Sequence, residues 1–269
     1  MADDERTLDA LLPPEMAARA EQVGVVKAGL PVRRLVPLGV LAGAFIGLGA
    51  AFSTIATSGS SLDAGVARVL GGVVFALGLV LVVVSGAELF TGNTLIVIAV
   101  ASRRVAVRRL LRNWGIVYVA NFAGAVGTAA LVVGSGRLDA GDGSLGTRAI
   151  AIAASKSSLS FDEAVISGIL ANALVCLAVW MTLSARSLVD KVVVIVPPIA
   201  AFVALGFEHS IANMYFFPVA LLHDGARPEG LDWPTFLVDN LLPVTIGNII
   251  GGSVLVGLVY WFVYLRPTR

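Results

Sequence analysis

The sequence of 269 residues has few charged side chains and a single cysteine. Charged residues make up 14% of the chain, against about 25% in soluble domains, which is too few for a water-facing surface. The lone Cys176 excludes a disulfide within the chain. With 57% hydrophobic residues and a mean hydropathy of +0.90, the composition argues against soluble enzymes and nucleic-acid-binding proteins. It predicts a helical membrane protein.

Long apolar runs recur along the chain. Four are long enough to cross a bilayer of about 30 Å at about 1.5 Å per residue, namely residues 35–56, 115–134, 164–183 and 241–265. Two more are interrupted, because residues 69–84 and 192–205 each meet a polar insert before a second apolar stretch. We therefore predict an all-α membrane protein with six transmembrane helices, of which the second and the fifth are broken.

The two polar inserts share one pattern. Residues 86–93 and 206–213 both read Gly-x-Glu-x-x-x-x-Asn, and each is followed by a span that carries Asn-x-x-Gly, at Asn121 and Asn248. Three spans in each half give the halves opposite topology. Inverted repeats with broken helices place a solute site near the bilayer midplane, where the broken ends meet. The pattern therefore predicts a transporter or channel of two inverted three-helix repeats.

The predicted domain organisation is one transmembrane pore domain behind a short N-terminal segment. The pore domain takes residues 35–266, with repeat A at residues 35–134 and repeat B at residues 162–265. Residues 1–34 are predicted to be cytoplasmic and to contain a short surface helix over residues 15–27, which Pro31 ends.

The positions of Lys and Arg predict the orientation. If both termini face the cytoplasm, 14 basic residues lie inside and five outside, which is a clear positive-inside bias. We therefore expect a multi-pass protein of the plasma (inner) membrane with both termini cytoplasmic. The arginines between residues 103 and 112 are interpreted as contacts with anionic membrane lipid.

Three ionisable side chains fall inside the apolar segments, namely Glu88, Glu208 and His209. Histidine titrates near neutrality, so His209 can attract an anion as imidazolium or pass a proton to a weak-acid anion. The sequence allows either role for His209, in a channel or in a proton-coupled transporter. Ionised glutamates would repel an anion, so we predict that Glu88 and Glu208 are structural and either cap backbone N–H groups or order the loop. The Thr91 hydroxyl can donate to, or accept from, His209 or a solute.

Other chemistries lack the residues that they need. No cluster of His, Cys and carboxylates has the spacing of metal ligands, and neither Gly-x-Ser-x-Gly nor a phosphate-binding loop occurs. We expect no metal site, no cofactor and no enzymatic activity. The alternative is an intramembrane enzyme that uses Glu208 and His209 as an acid–base pair, but adjacent side chains point in different directions. A water or glycerol channel is a further alternative, but the candidate loops lack the arginine that often lines its constriction.

Four motifs resemble the formate/nitrite transporter family, and within it the formate channels. They are Gly-Ala-Glu-Leu-Phe-Thr-Gly-Asn (86–93), Gly-Ile-Leu-Ala-Asn (168–172), Gly-Phe-Glu-His-Ser-Ile-Ala-Asn-Met (206–214) and Pro-Val-Thr-Ile-Gly-Asn-Ile-Ile-Gly-Gly (243–252). The resemblance implies an aquaporin-like fold with a pore in each protomer of a homopentamer. It implies passage of a small monovalent anion, with formate first and nitrite or hydrosulfide as the alternative. Nucleic acid is not expected as a partner.

The resemblance also implies roles for single residues. It assigns the central pore to His209, Thr91, Asn213 and Asn172. It assigns one hydrophobic constriction to Phe75 and Phe202, and a second to Leu79, Leu89 and Phe90. It makes Lys27 and Lys156 the vestibule lysines, which raise the local anion concentration at each mouth. Gly92, which follows Thr91, is a feature of the nitrite-type members.

Overall fold

The computed structural model describes residues 10–267, and this part of the chain is helical without a strand. Its α-helices are α1 (Pro13–Gly29), α2 (Val32–Thr57), α3 (Ala64–Phe75), α4 (Leu77–Ser85), α5 (Phe90–Asn93), α6 (Val97–Ala101), α7 (Val107–Gly134), α8 (Ser144–Ser157), α9 (Phe161–Thr182), α10 (Leu188–Ala204), α11 (Ser210–Leu222), α12 (Leu242–Ile250) and α13 (Val259–Tyr264). A 3₁₀ turn, Thr94–Ile96, joins α5 to α6. The π-helical segments Thr235–Leu241 and Gly251–Leu258 join α12 and α13 into one helical rod.

Five helical segments within residues 10–267 are long and apolar enough to cross a bilayer, namely Val32–Thr57, Ala64–Ser85, Val107–Gly134, Phe161–Thr182 and Thr235–Tyr264. Four of them coincide with the unbroken spans that the sequence predicts. The fifth, α3 with α4, is the first half of the first broken span. The first half of the second broken span is α10, which has 17 residues. The parts of the prediction that concern residues 1–9 and 268–269 lie outside the described residues.

Both interruptions lie where the sequence predicts them, although they are shorter. Gly86, with φ of 73°, ends α4, and Gly206, with φ of 75°, follows α10. Glycine takes this left-handed conformation without a steric penalty. Helix resumes at Phe90 and at Ser210, before the polar inserts end. The polar residues after each break therefore lie in helical turns. The amides of Asn93 and Asn213 have partners inside the protein, whereas the Ser210 hydroxyl has none among the described residues.

The N-terminal helix is longer than predicted, and one helix was not predicted. α1 covers Pro13–Gly29 and buries the side of Met16, Ala17, Ala20, Gly24 and Ala28. The missed helix is α8, whose mixed polar and apolar sequence does not resemble a span. The signal was present, because Gly146, Ala149, Ile150 and Ala153 follow helical spacing and form its buried face.

Glycines let two pairs of helices touch along their backbones. A Cβ atom at Gly43 would overlap the backbone of Asn121, and one at Gly124 would overlap the backbone of Val40, so α2 and α7 pack in direct contact. The same holds for α9 and α12, where a Cβ atom at Gly247 would overlap the carbonyl of Val165. Such small-residue contacts are typical of helices in membranes. They place the asparagines of α7 and α12 beside the two breaks.

Candidate functional site

An asparagine side chain replaces the missing helical hydrogen bonds at each break. Asn121 accepts a hydrogen bond from Phe90 N at 2.9 Å and donates to Gly39 O at 2.8 Å and Glu88 O at 2.9 Å. Asn248 repeats the pattern at the second break, with Ser210 N at 2.9 Å and the carbonyls of Gly168 and Glu208 at 2.8 Å and 3.0 Å. Buried backbone groups need such partners. The two side chains hold both breaks in fixed geometry.

The two glutamates pair with the two lysines. Lys27 Nζ lies 2.7 Å from Glu88 Oε1, and Lys156 Nζ lies 2.7 Å from Glu208 Oε1. The second carboxylate oxygen of each glutamate accepts from the amide of the asparagine five residues later, at 2.8 Å in the first half and 2.6 Å in the second. The carboxylates therefore order the breaks through side chains, and within residues 10–267 no backbone N–H donates to them. The expected capping of backbone amides is done by Asn121 and Asn248 instead.

Two further asparagines complete these clusters, and sequence reasoning did not find them. Asn113 accepts from the Asn93 amide at 2.9 Å and donates to the Lys27 carbonyl at 3.1 Å. Asn240 makes the same two contacts in the second half, at 2.7 Å and 3.1 Å. The available signal was spacing, because each lies eight residues before the asparagine that caps its break.

His209 and Thr91 meet across the two breaks. His209 Nε2 lies 2.9 Å from Thr91 Oγ1, and His209 Nδ1 accepts a hydrogen bond from Ala212 N at 3.1 Å. Because Nδ1 is an acceptor here, we assign the neutral tautomer with hydrogen on Nε2, which donates to the Thr91 hydroxyl. No described residue accepts the hydroxyl hydrogen of Thr91.

The backbone behind Thr91 is held by three donors. The Thr91 carbonyl accepts from Thr94 Oγ1 at 2.6 Å, from Asn172 Nδ2 at 3.3 Å and from Cys176 Sγ at 3.4 Å. Asn172 Nδ2 also donates to Asn248 O at 2.6 Å. Asn172 therefore positions Thr91 from behind and links it to the second break.

A narrow passage, lined by His209, lies between two wide cavities. The cavity beside Lys156, called the Lys156 vestibule, measures about 340 Å³, and the cavity beside Lys27, called the Lys27 vestibule, measures about 430 Å³. Between them lies a central cavity of about 10 Å³, close to the smallest space that holds one water. The side chains that line it are Ile46, Phe75, Leu79, Leu89, Val175, Ile199, Phe202 and His209.

Four of the five predicted constriction residues meet in this passage. Phe75 and Phe202 pack edge to face, with ring centroids 5.6 Å apart, and they also border the Lys156 vestibule. Leu79 and Leu89 border the Lys27 vestibule. Phe90 is not brought to the passage, because as the neighbour of Leu89 it points the other way and packs against Tyr118, at 4.9 Å between centroids.

Of the four residues predicted for the central pore, His209 lines the central cavity, whereas Thr91, Asn172 and Asn213 lie beside it. Asn213 belongs to the Lys156–Glu208 cluster, where its amide donates to Glu208 and Asn240, and it does not line the central cavity. Glu208 and His209 are neighbours in sequence, yet Glu208 contacts Lys156 while His209 contacts Thr91. They share no partner that would make them an acid–base pair.

The two vestibules differ in charge. The Lys156 vestibule is also lined by Arg68 and Arg148, and Glu208 is the one carboxylate among its lining residues. The Lys27 vestibule has Lys27 and Glu88 as its charged lining residues. The Lys156 vestibule therefore has a net positive lining, which attracts anions.

Comparisons with known proteins show the family. The formate/nitrite transporter family matches residues 14–262. The formate channel FocA of Escherichia coli (strain K12) is 45% identical over 277 residues, which cover 97% of each chain. The probable formate transporter of Methanothermobacter thermautotrophicus is 37% identical over 271 residues, which cover 94% of this chain and 97% of that protein.

Solved structures agree. A pentameric formate channel with formate bound superposes with a TM-score of 0.81 at 42% identity, covering 87% of this chain and 98% of that one. An ion channel of the same family superposes with a TM-score of 0.81 at 30% identity, covering 95% of this chain and 98% of that one. With its several apolar helices, this chain is an integral membrane protein. It belongs to the formate/nitrite transporter family, whose members are channels and transporters rather than enzymes.

Proposed function

We propose that the protein is a transmembrane channel, coupled to protons at His209, for formate or a similar small monovalent weak-acid anion. The observation that carries the proposal is the central cavity of about 10 Å³ between two vestibules that each contain a lysine. Relatives named formate channels support formate as the anion. Nitrite or hydrosulfide is the alternative within the same family.

The proposed architecture is six membrane crossings in two inverted repeats, in an aquaporin-like pore domain of residues 35–266. Support comes from the clusters around Lys27–Glu88 and Lys156–Glu208, which have matching partners and near-equal distances. Because α1 and α8 supply the two lysines, each repeat also includes a short helix ahead of its three crossings. In the proposed topology both termini are cytoplasmic and the chain lies in the inner membrane; the excess of basic residues in the segments assigned to the inside supports that orientation. Five copies form the proposed assembly, as in the pentameric relative.

The anion first meets a positive vestibule. Lys156 is 15% exposed at its side chain and Lys27 is 28% exposed, so both ammonium groups keep a side open to the cavities. Their charge raises the local anion concentration. The paired glutamates hold the lysines in place without facing the passage.

The narrow passage then selects small solutes that can lose their charge. Phe75, Phe202 and Leu79 offer no polar group, so an anion that enters loses hydration without compensation. At the centre, the Thr91 hydroxyl donates to the carboxylate of formate. After His209 has taken up a proton at Nδ1, it passes its Nε2 proton to Thr91 Oγ1 while the hydroxyl hydrogen moves to the solute, which removes the solute's charge and leaves His209 neutral. Accepting a proton at Nδ1 of His209 requires that its hydrogen bond from Ala212 N breaks. Proton coupling therefore involves a rearrangement of the His209 turn.

Uptake into proteoliposomes tests the proposal. Purified protein is reconstituted, and uptake of formate, nitrite and hydrosulfide is measured across pH 5 to 8, with glycerol-driven swelling as the neutral-solute assay. The proposal predicts formate uptake above that of empty vesicles, and no swelling with glycerol. Swelling with glycerol and no anion uptake would refute it. Uptake of nitrite or hydrosulfide without formate would identify the alternative substrate.

A further inference from the structure

A further cavity, of about 420 Å³, opens on the side of the helix bundle, apart from the two vestibules and the central cavity. It lies between α7 and the helical rod that contains α12, and we call it the lateral groove. Leu111 and Ile249 line one end and Leu237 lines the other, and none of the lining residues is charged. Leu237 and Ile249 are twelve residues apart along the rod, or about 18 Å of helix. Both walls belong to segments that cross the bilayer.

The hydroxyl groups in the lateral groove are already satisfied. Tyr118 Oη lies 2.8 Å from Thr245 Oγ1, which donates to Leu241 O at 2.6 Å. Thr245 thus uses its hydrogen on the backbone, and Tyr118 donates to Thr245. Both hydroxyl hydrogens are engaged inside the protein, so the groove offers neither charge nor free donor to a polar ligand. A hydrocarbon chain is the ligand that its surface fits.

The lateral groove exists because one wall lacks a side chain. Gly115 is exposed on α7 and lines the groove, and a Cβ atom placed there would meet nothing within 4 Å. Phe90 forms the floor, packed edge to face on Trp114 at 6.0 Å between centroids. The floor is therefore rigid and apolar, and the open space above Gly115 is a feature of the fold.

A positively charged side chain, Arg108, lies at one end of the lateral groove. Residues 108, 111, 115 and 118 follow helical spacing, so Arg108 continues the stripe of Leu111, Gly115 and Tyr118 by one turn. Arg108 is exposed and makes no hydrogen bond or ion pair with any residue in the range 10–267. Arg104 and Arg112, by contrast, bind Glu21 and the Leu30 carbonyl. An apolar groove that ends at a free guanidinium matches a molecule with a hydrocarbon tail and an anionic head.

We propose that the lateral groove holds an acyl chain of an anionic phospholipid, whose phosphate is bound by Arg108. Guanidinium groups pair well with phosphate oxygens, and the α7 end that carries Arg108 faces the cytoplasmic leaflet in the proposed topology, where anionic lipids are concentrated. The site rests on that topology and not on the identity of the transported anion. A second copy of the chain would cover the apolar groove but would leave the charge of Arg108 unexplained.

Native mass spectrometry of the purified full-length protein tests the site. Phosphatidylglycerol and phosphatidylcholine of the same chain length are titrated separately, and bound lipids per chain are counted. Gly115→Leu fills the groove, and Gly127→Leu is its control, because Gly127 is also exposed on α7 and has open space at its Cβ position. Arg108→Gln removes the headgroup contact. Arg109→Gln is its control, because Arg109 is equally exposed and unpaired among the described residues but lies on another face.

The proposal predicts that Gly115→Leu loses about one lipid of either kind per chain, while Gly127→Leu keeps it. It predicts that Arg108→Gln lowers the preference for phosphatidylglycerol roughly fivefold, while Arg109→Gln leaves it within about twofold of wild type. Equal lipid counts in the two glycine variants would overturn the proposal, and so would equal loss in the two arginine variants. A change of oligomer mass in Gly115→Leu with no change in lipid count would assign the groove to a second copy instead. None of these outcomes bears on formate uptake by the wild-type protein, so a failure of the lipid site is distinguishable from a failure of the proposed transport function.

Discussion

The direction of one hydrogen bond determines what Thr91 can offer a solute. Because Ala212 N donates to His209 Nδ1 at 3.1 Å, His209 Nε2 donates to Thr91 Oγ1 at 2.9 Å, and the hydroxyl hydrogen of Thr91 stays available. A side chain of similar shape without the hydroxyl would leave both the histidine and the solute without this partner.

Replacing Thr91 tests this arrangement. Thr91→Val is expected to lower formate uptake by about tenfold or more, since losing a hydrogen bond to a charged solute costs about 1.5–3 kcal/mol. Thr91→Ser, which keeps a hydroxyl, should retain most of the uptake. Uptake into proteoliposomes at one pH is the measurement. Equal uptake by the valine and serine variants would show that the hydroxyl does not act on the solute.

Each buried glutamate depends on its lysine. Glu208 is 3% exposed and Lys156 is 15% exposed, so removing the lysine leaves an uncompensated carboxylate in the interior. We expect Lys156→Met to lower the free energy of unfolding by about 3 kcal/mol. Thermal unfolding in detergent measures it, and Lys191→Met is the control, because Lys191 makes no ion pair with a described residue. If the two variants unfold at the same temperature, the ion pair does not stabilise the break.

Single residues were partly predictable. Glu88, Glu208 and His209 stand out because ionisable groups are costly in an apolar segment, and the structure places all three at the breaks. Asn113 and Asn240 were missed because an asparagine near a span end is unremarkable until its partners are known. Phe90 was assigned to a constriction beside Leu89, but adjacent side chains diverge, and sequence does not tell which of the two faces the passage.

At the scale of helices, the contact between α2 and α7 depends on glycine. A Cβ atom at Gly124 would overlap the carbonyl of Val40, whereas one at Gly127, three residues along the same helix, would meet nothing within 4 Å. We expect Gly124→Ala to lower the free energy of unfolding by about 2 kcal/mol through overpacking.

Gly127→Ala is the matched control. It should leave stability unchanged or raise it by up to about 1 kcal/mol, because alanine has the higher helix propensity. Denaturation in detergent, followed by circular dichroism, compares the two variants. If Gly124→Ala is as stable as Gly127→Ala, the helices are able to separate at that point and the close contact is not required.

Helices were predictable where their hydrophobicity was continuous. The spans that became α2, α7 and α9 follow from runs of about 20 apolar residues, and the breaks follow from polar inserts. α8 was not predicted, because its 14 residues of mixed polarity do not resemble a span, although the spacing of its buried residues was an available signal. The breaks are also shorter than the polar inserts, because helix resumes at Phe90 and Ser210, whose backbone N–H groups donate to Asn121 and Asn248.

At the scale of the molecule, the duplicated pattern in sequence reappears as duplicated contacts. The matching distances of the Lys27–Glu88 and Lys156–Glu208 pairs, 2.7 Å each, follow from two halves that fold alike. Sequence predicted the common order of Gly, Glu and Asn, but not the lysine and asparagine partners, because the lysine contacts join residues 61 and 52 positions apart and the asparagine contacts residues 20 and 27 positions apart. The charge difference between the vestibules was also not predictable, because Arg68 and Arg148 reach the Lys156 side only in the folded chain.

The most direct test of a proton-coupled anion pore is the pH dependence of formate uptake by His209 variants in proteoliposomes. His209→Asn keeps a polar side chain but cannot exchange a proton in this range, so it is expected to retain some uptake with a flat profile between pH 5 and 8. His209→Phe removes both the polar side chain and the exchangeable proton, and it should abolish uptake. Wild-type uptake should change with pH. If His209→Asn follows the wild-type pH profile, the imidazole does not carry the coupling and the central claim is wrong.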